Sequence, residues 1–518
     1  MSMRRHEAED EDRLLCIWRD VLEVAEVSRD ANFFELSGNS LQAVDLACRV
    51  SFEFGRDVTV MDILDFPTFV EFVGRVQEAP ELPPPPGAGT GGPGPAGKSL
   101  RRPSMLQEDS LRLDATGPSD HFLIRFGYLI QGALDVSRLS RAVELLAWRH
   151  ELLRTAVGWR DGEAFLEILE GSALQLRIID APCPAGVATA DHVRSVALQH
   201  PDLTPTRSEP PLARLTLLRM GSELHALVVA LDHIICDGFS IKLLVADISE
   251  TYGVLSVRPD FRPDDVPISF SRWASEQRLR LCGEHLARLV GHWRTVLGDD
   301  PGILSPPLPW SDLRPGGVLT CTRDFDDQVR RKFTAAAHRQ GMSLFSVGIA
   351  ALGTCLAEVV GPERTCLTTT WVNRSLPAHM QVFGPLAHDI YIRLGIDPAL
   401  PADQRLGLAR AAIHNALEHD EVPGLVLYRE LWPTSTSDPT LQPTVYVTVN
   451  ERWPSGLRLD GTEIQEIPID GSNSGRDLTC EFTVENGGIS RIDMSTSSSG
   501  ITPDFMAALI SSIEDNVA

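Results

Sequence analysis

Residues 81–97 read ELPPPPGAGTGGPGPAG. Four consecutive prolines followed by a glycine-rich run suit neither a helix nor a sheet interior, and the stretch has almost no apolar side chain to bury. It is a linker, stiff in its proline part and loose in its glycine part, and about 20 such residues reach roughly 25 Å. The chain is therefore multidomain: a small unit at 1–78, a linker at 79–100 and a large unit at 101–518. With 518 residues and 43% apolar content there is enough side chain for more than one core.

The small unit reads as an all-α bundle. Leu14, Leu15, Trp18, Val21 and Leu22 recur at helical spacing. A second helix starts near Ser40 and runs through Leu41, Val44, Leu46 and Ala47, and another covers Val70–Val76. The large unit reads as α/β, with two lobes a natural division at its size. Helices are expected at Leu139–Leu153, Ser240–Tyr252, Arg331–Gln340, Ser346–Val359 and Phe505–Ile513. Strands are expected at Phe122–Ile130, Leu212–Leu218, Leu224–Leu231, Cys366–Trp371 and Val445–Val449. The run HALVVALDH is short, β-branched and almost continuously apolar, as a buried central strand should be.

Charge and cysteine usage narrow the function. A net charge of −24 argues against nucleic acid and against anionic membrane surfaces as partners. Met1–Asp12 is charged, unlike a signal peptide, and no run of about 18 apolar residues occurs. The nine cysteines form no CxxC pair or zinc-type cluster. Neither a disulfide framework nor a metal site is expected, and a reduced, cytoplasmic setting fits.

Two segments carry chemistry. In the first, DANFFELSGNSLQAVDL, a serine follows a glycine-containing turn and opens an amphipathic run. Read blandly, Asn39 or Ser40 is a helix N-cap, but a helix start also favours a phosphate. The segment resembles the attachment segment of peptidyl and acyl carrier proteins, DxFFxLGGxSL, with Ser37 in place of the first glycine. The resemblance covers about residues 11–76, including Trp18 and FPTF at Phe66–Phe69. It implies a four-helix carrier bundle, 4′-phosphopantetheine carried covalently on Ser40, and a partner-docking face at Leu41 and Val44.

In the second segment, LDHIICDGFS, His233 ends the buried strand. An imidazole there can accept a proton from an amine or hydroxyl, or hold it in place. The bland alternative is a turn in which Asp237 and Gly238 make the bend and Ser240 caps the helix. The segment resembles the HHxxxDG motif of condensation domains. Other segments match that family in order: Arg149–Thr155 with RHExLRT, Asp202-Leu203 and Pro211–Arg214 with the stretch before the histidine motif, Gly341–Phe345 with GxTLF, Asn373-Arg374 and Gly384-Pro385 with NR and GxF, His419–Pro423 with HQDxPFE, and Arg476–Leu478 with the late (F/Y)DL. Nearly the whole of 101–515 is covered.

The resemblance implies two chloramphenicol-acetyltransferase-like lobes, about 101–275 and 276–518, with a tunnel between them. His233, Asp237 and Gly238 are then the catalytic set, and Arg374 is a structural partner for Asp237. It further implies non-ribosomal peptide synthesis, with an acyl or peptidyl thioester condensed onto an acceptor amine, or onto a hydroxyl to give an ester. The implied partners are a phosphopantetheinyl transferase, an adenylation or other loading enzyme in trans or upstream, and an acceptor that is a small molecule or a downstream carrier domain. Two departures stand out. Asp232 replaces the first histidine and is a candidate modifier of the active site, although strand neighbours point to opposite faces, which favours a structural role. His388 and Asp389 replace the usual Asn-Thr pair. Asp232, Asp237 and Ser240 also satisfy the DxxxxDxxS spacing of heterocyclisation domains, which normally lack this histidine and glycine. Heterocyclisation, and a catalytically weak scaffold that recruits partner enzymes, are the alternatives to condensation.

Overall fold

The computed structural model describes residues 2–36, 38, 40–82, 99–114, 123–169, 174–264, 266, 268–312, 317–435, 444–451, 456–469, 478–485 and 487–517. Residues 83–98 of the expected linker, and Arg476 and Asp477 of the late motif, lie outside these.

In the small unit, helices Ser2–Leu22, Ser40–Phe54, Val60–Asp65 and Phe69–Glu78 pack around Trp18, which is fully buried. Its indole meets the rings of Phe33 and Phe69 edge-on at 5.6 and 5.3 Å, the arrangement ring quadrupoles favour. Thr59 and Thr68 open the last two helices, with Asp62 and Glu71 completing capping boxes. The turn before Ser40 needs a glycine. A Cβ on Gly38 would stand 2.4 Å from the ring of Phe33 and 2.6 Å from its carbonyl oxygen.

The large unit has two lobes, each with its own sheet and core. The first lobe's five-stranded sheet runs in the order Thr462–Pro468, Leu123–Gly132, Leu224–Asp232, Ala213–Arg219, Leu176–Asp180. A three-stranded sheet of Ser99–Arg101, Glu163–Ile168 and Thr155–Arg160 accompanies it. The strand Leu224–Asp232 is buried from His225 onward. Leu227, Val229 and Leu231 face the core shared with helices Val136–Arg149 and Gly238–Val257. Ala226 and Val228 face the cluster around Val193, Ala197 and Leu218. Covered on both faces, the strand has no polar alternation in its sequence.

The second lobe's six-stranded sheet runs His388–Arg393, Cys366–Trp371, Val445–Glu451, Leu478–Glu485, Gly488–Thr496, Leu319–Asp324. Its core includes the buried helix Leu344–Val360 and the C-terminal helix Pro503–Asn516. The chain changes core between Ala274, in the first, and Leu281, in the second.

The simple division at about 275 requires a correction. The strand Thr462–Pro468 and the buried Leu457 and Leu459 belong to the first lobe, as do Val382, Phe383 and Leu386. Thr462–Pro468 pairs antiparallel with Leu123–Gly132, Thr462 opposite Gly132 and Pro468 opposite Phe126. It is a polar edge strand whose partner lies far away in sequence, so periodicity gave no sign of it.

Candidate active site

The strand Leu224–Asp232 delivers the turn that holds His233. Asp232 is buried, and its carboxylate accepts two bonds from Arg207, at 2.8 and 3.0 Å. It also accepts the backbone N–H of Ile234 at 2.9 Å, closing an Asx-type turn. This arrangement leaves His233 exposed while Ile234, Ile235 and Cys236 are buried. Both oxygens of Asp232 serve Arg207 and the turn, the structural role that strand alternation favoured.

Asp237, 1% exposed, is the N-cap of the helix Gly238–Val257, accepting the N–H of Ser240 at 2.8 Å. The cap is thus Asp237 and not Ser240, and the helix begins two residues earlier than its pattern suggested. Ser240 instead donates its hydroxyl to Asp237 at 2.8 Å and accepts the N–H of Gly384 at 3.0 Å.

Arg374 comes from the other lobe, just past the strand Cys366–Trp371. Its side chain is fully buried, and its guanidinium reaches Asp237 at 2.9 and 3.2 Å. It also donates to the carbonyls of Val372 and Val382, both at 3.2 Å, and lies 4.3 Å above the ring of Phe239. The N–H groups of Leu386 and Ala387 each bind Asp237 at 3.0 Å. Burial pushes the Asp237 carboxyl up, but the charge and hydrogen bonds of Arg374, helped by backbone amides, outweigh it and hold the carboxyl below its ordinary value. The pair fastens the histidine turn to the 372–387 segment, which runs between the second-lobe strands Cys366–Trp371 and His388–Arg393. Gly384 permits the close approach: a Cβ there would fall 2.1 Å from the ring of Phe270.

Gly238, exposed, is the first residue of this helix, where first-turn amides have no intrahelical acceptor. Gly238, Phe239 and Lys242 line a cavity of about 300 Å³. Its other walls come from the second lobe, including Leu344, Phe345, Trp371 and Ile390, and from the small unit, through Phe34, Gly38, Ala43, Val60 and Leu64. Most of the lining is apolar, with a few Ser and Thr hydroxyls, and Lys242 is the sole charged residue among the described lining residues.

Ser40 is the first residue of its helix, two positions after Gly38 at the cavity wall. That helix lies against the turn Pro377–Gln381. Val44 and Cys48, one turn apart, are buried although they stand outside the small unit's own core. The Cys48 thiol reaches the carbonyl of Arg374 at 3.7 Å. Arg410 donates to the carbonyl of Leu64 at 3.1 Å, and His414 lies 3.4 Å from Asp65. The small unit is thus docked beside the segment that anchors the His233 turn. The side chain of Leu41 is outside the described positions.

These residues fit 4′-phosphopantetheine. A serine at a helix start suits a phosphate, and the cavity adjoining it reaches the N-terminus of the helix that follows His233. Among the other motif residues, His150 is buried and bonds Asp247 at 2.6 Å, while Glu151 accepts the N–H of Ser271. They brace the scaffold. His388 is buried against the carbonyl of Asp420 at 2.6 Å, and burial lowers its imidazole to about 4. Sequence reasoning missed Arg207, which stands outside every expected element and motif, and Lys242, whose helix was expected but whose place on the cavity wall was not. Among the described residues no group of side chains could hold a metal ion.

The profile of the condensation domain matches residues 113–491, and that of the phosphopantetheine attachment site matches residues 12–76. The chain is 25% identical over 494 residues to malpinin synthetase of Mortierella alpina, covering 93% of this chain and 6% of that protein. It is 26% identical over 482 residues to the cyclosporin synthetase simA of Tolypocladium inflatum, covering 92% of this chain and 3% of the relative. The chain therefore spans only a small fraction of these relatives' length. Among solved structures it shares its fold with the condensation domain from Monacolin K polyketide synthase MokA, at a TM-score of 0.66, 18% identity and coverage of 81% of this chain and 96% of that one. The X-domain from teicoplanin biosynthesis, in its complex with OxyB, gives 0.67, 20%, 80% and 92%.

Proposed function

The chain belongs to the condensation-domain family and carries a phosphopantetheine attachment domain ahead of it, and from that premise we propose that it transfers an acyl or peptidyl group from its own carrier to an acceptor amine or hydroxyl. The single observation that carries the reading is the cavity. It has Gly38 and Ala43, either side of Ser40, on one wall and Gly238 and Phe239, beside the histidine turn, on another. The donor is then delivered in cis, by a carrier docked through Val44, Cys48, Leu64 and Asp65.

Bound on Ser40, 4′-phosphopantetheine would supply the thiol that carries the acyl donor. The chain's residues do the rest. His233 orients the acceptor and takes its proton, which a solvent-facing imidazole at the end of a rigid strand can do. The first-turn amides at Gly238 face the carbonyl oxygen as charge develops on it. Asp237 and Arg374 take no proton; they hold the turn in register with the second lobe, and this positioning supplies much of the rate. The heterocyclisation spacing is met in sequence, but Asp232, Asp237 and Ser240 are all engaged in bonds that build the turn. The partners of this reading are a phosphopantetheinyl transferase for Ser40, an adenylation or other loading enzyme in trans or on an adjoining segment, and an acceptor that is free or held on a downstream carrier. Nine free thiols support a reducing, cytoplasmic setting.

His233→Ala is expected to slow acyl transfer on the order of a hundredfold or more while Ser40 is still modified. Transfer at the unchanged rate would remove His233 from the mechanism.

A further inference from the structure

The helix Gly238–Val257 is mostly apolar and has a single basic residue, Lys242. Lys242 follows Gly238 by one helical turn, so the two share a face and stand about 6 Å apart along the axis. Both line the cavity. Helical side chains lean toward the N-terminus of their helix, which here is the end beside His233. Lys242 is half-buried. It is also an exception in this chain, which uses arginine for all but three of its 47 basic residues. A compact ammonium on a flexible stem takes less of a cavity of about 300 Å³ than a planar guanidinium would.

The charges of the turn itself come in compensated pairs, Asp237 with Arg374 and Asp232 with Arg207. Among the described lining residues the cavity's own charge is Lys242, set against apolar walls such as Leu344, Phe345 and Ile390. Two of the lining hydroxyls, those of Ser343 and Ser346, bond to each other at 2.9 Å. An apolar pocket with one placed charge selects its ligand through that charge. We infer that Lys242 determines donor specificity, favouring an acyl group that ends in a carboxylate and holding that carboxylate while the thioester lies at the His233 turn. The inference rests on the condensation reading of the site. The arm brings a phosphodiester of its own, but that group is fixed to Ser40, at the far end of the arm from the thioester. Lys242 stands at the reacting end, where the acyl group is.

The test loads the full-length chain on Ser40 with adipoyl, adipamoyl or hexanoyl thioesters of the arm, in a His233→Ala background that keeps the acyl group in place. Adipoyl and adipamoyl differ only in a terminal carboxylate against a terminal amide, and the phosphodiester is common to all three. The rate at which hydroxylamine cleaves each thioester, relative to the free acyl-pantetheine, reads how far the acyl group is withdrawn into the cavity. The expected result is adipoyl cleaved about tenfold more slowly than adipamoyl, the effect of one charge-assisted bond in a partly desolvated site. Lys242→Met should abolish the difference, Lys242→Arg should keep most of it, and Lys242→Glu should reverse it, with thermal midpoints of the unloaded chains close to the parent's. Equal protection of adipoyl and adipamoyl with Lys242 in place, or the same preference in the Lys242→Met chain, would overturn the role of Lys242 alone. Cleavage of all three as fast as the free acyl-pantetheines, or transfer by the His233→Ala chain at the parental rate, would overturn the condensation reading beneath it.

Discussion

Asp237 accepts two guanidinium bonds, the backbone amides of Leu386 and Ala387, and the capping amide and hydroxyl of Ser240. A carboxylate so placed cannot lose its cation without leaving a buried charge uncompensated. Arg374→Ala is expected to destabilise the large unit by about 3–5 kcal/mol, read as a lower denaturant midpoint, and to abolish transfer. Arg374→Lys should recover only part of this, because one ammonium cannot reproduce the two-pronged contact. An Arg374→Ala chain as stable as the parent would mean the pair is not structural. The alliance of Asp237 with Arg374 was legible only through motif order, since 137 residues separate them. Arg207 was not legible at all. Its neighbourhood, TPTRSEPP, has no periodicity, and nothing local says that it meets Asp232.

At the scale of elements, the strand Leu224–Asp232 and the helix Gly238–Val257 were readable because one is almost continuously apolar and the other follows a turn of Asp and Gly. The strand Thr462–Pro468 was not, because an edge strand with one polar face resembles a loop until its distant partner is known. The segment from Pro377 to His388 carries a pH dependence. Burial lowers the imidazoles of His379 and His388 to about 4, against 6.5 when free. As pH falls from about 6.5 to about 4, the unfolded chain binds protons that these two cannot take up when folded, so stability falls. Asp420 opposes this: burial, with Glu421 adding to it, raises its carboxyl to about 7, so in the same window the folded form is the better proton acceptor. Two groups outweigh one, and the urea midpoint should drop between about pH 7 and pH 5. His379→Gln should flatten that slope. A slope unchanged in the variant would show that His379 does not carry it.

For the whole molecule, the division into a helical carrier and an α/β large unit followed from the linker and from two residue periods. The resemblance put Val44 on a docking face; what the sequence did not convey was that the large unit of the same chain covers it, and Cys48 looks like an ordinary core position until the small unit's core closes without it. Val44→Asp should weaken docking and slow transfer from Ser40 roughly tenfold, by lowering the carrier's effective concentration at the site, while a free acyl-pantetheine donor is used as before. Equal loss with both donors would locate the defect elsewhere. The measurement that bears most directly on the central claim is the intact mass of the chain, acyl-loaded on Ser40 and then offered a panel of amine and hydroxyl acceptors, with Ser40→Ala and His233→Ala chains alongside. The account predicts a mass gain confined to chains with Ser40 and lost on adding one acceptor, but retained in the His233→Ala chain. An acyl group that leaves the His233→Ala chain as fast as the parent, or stays on the parent with every acceptor in the panel, would contradict it.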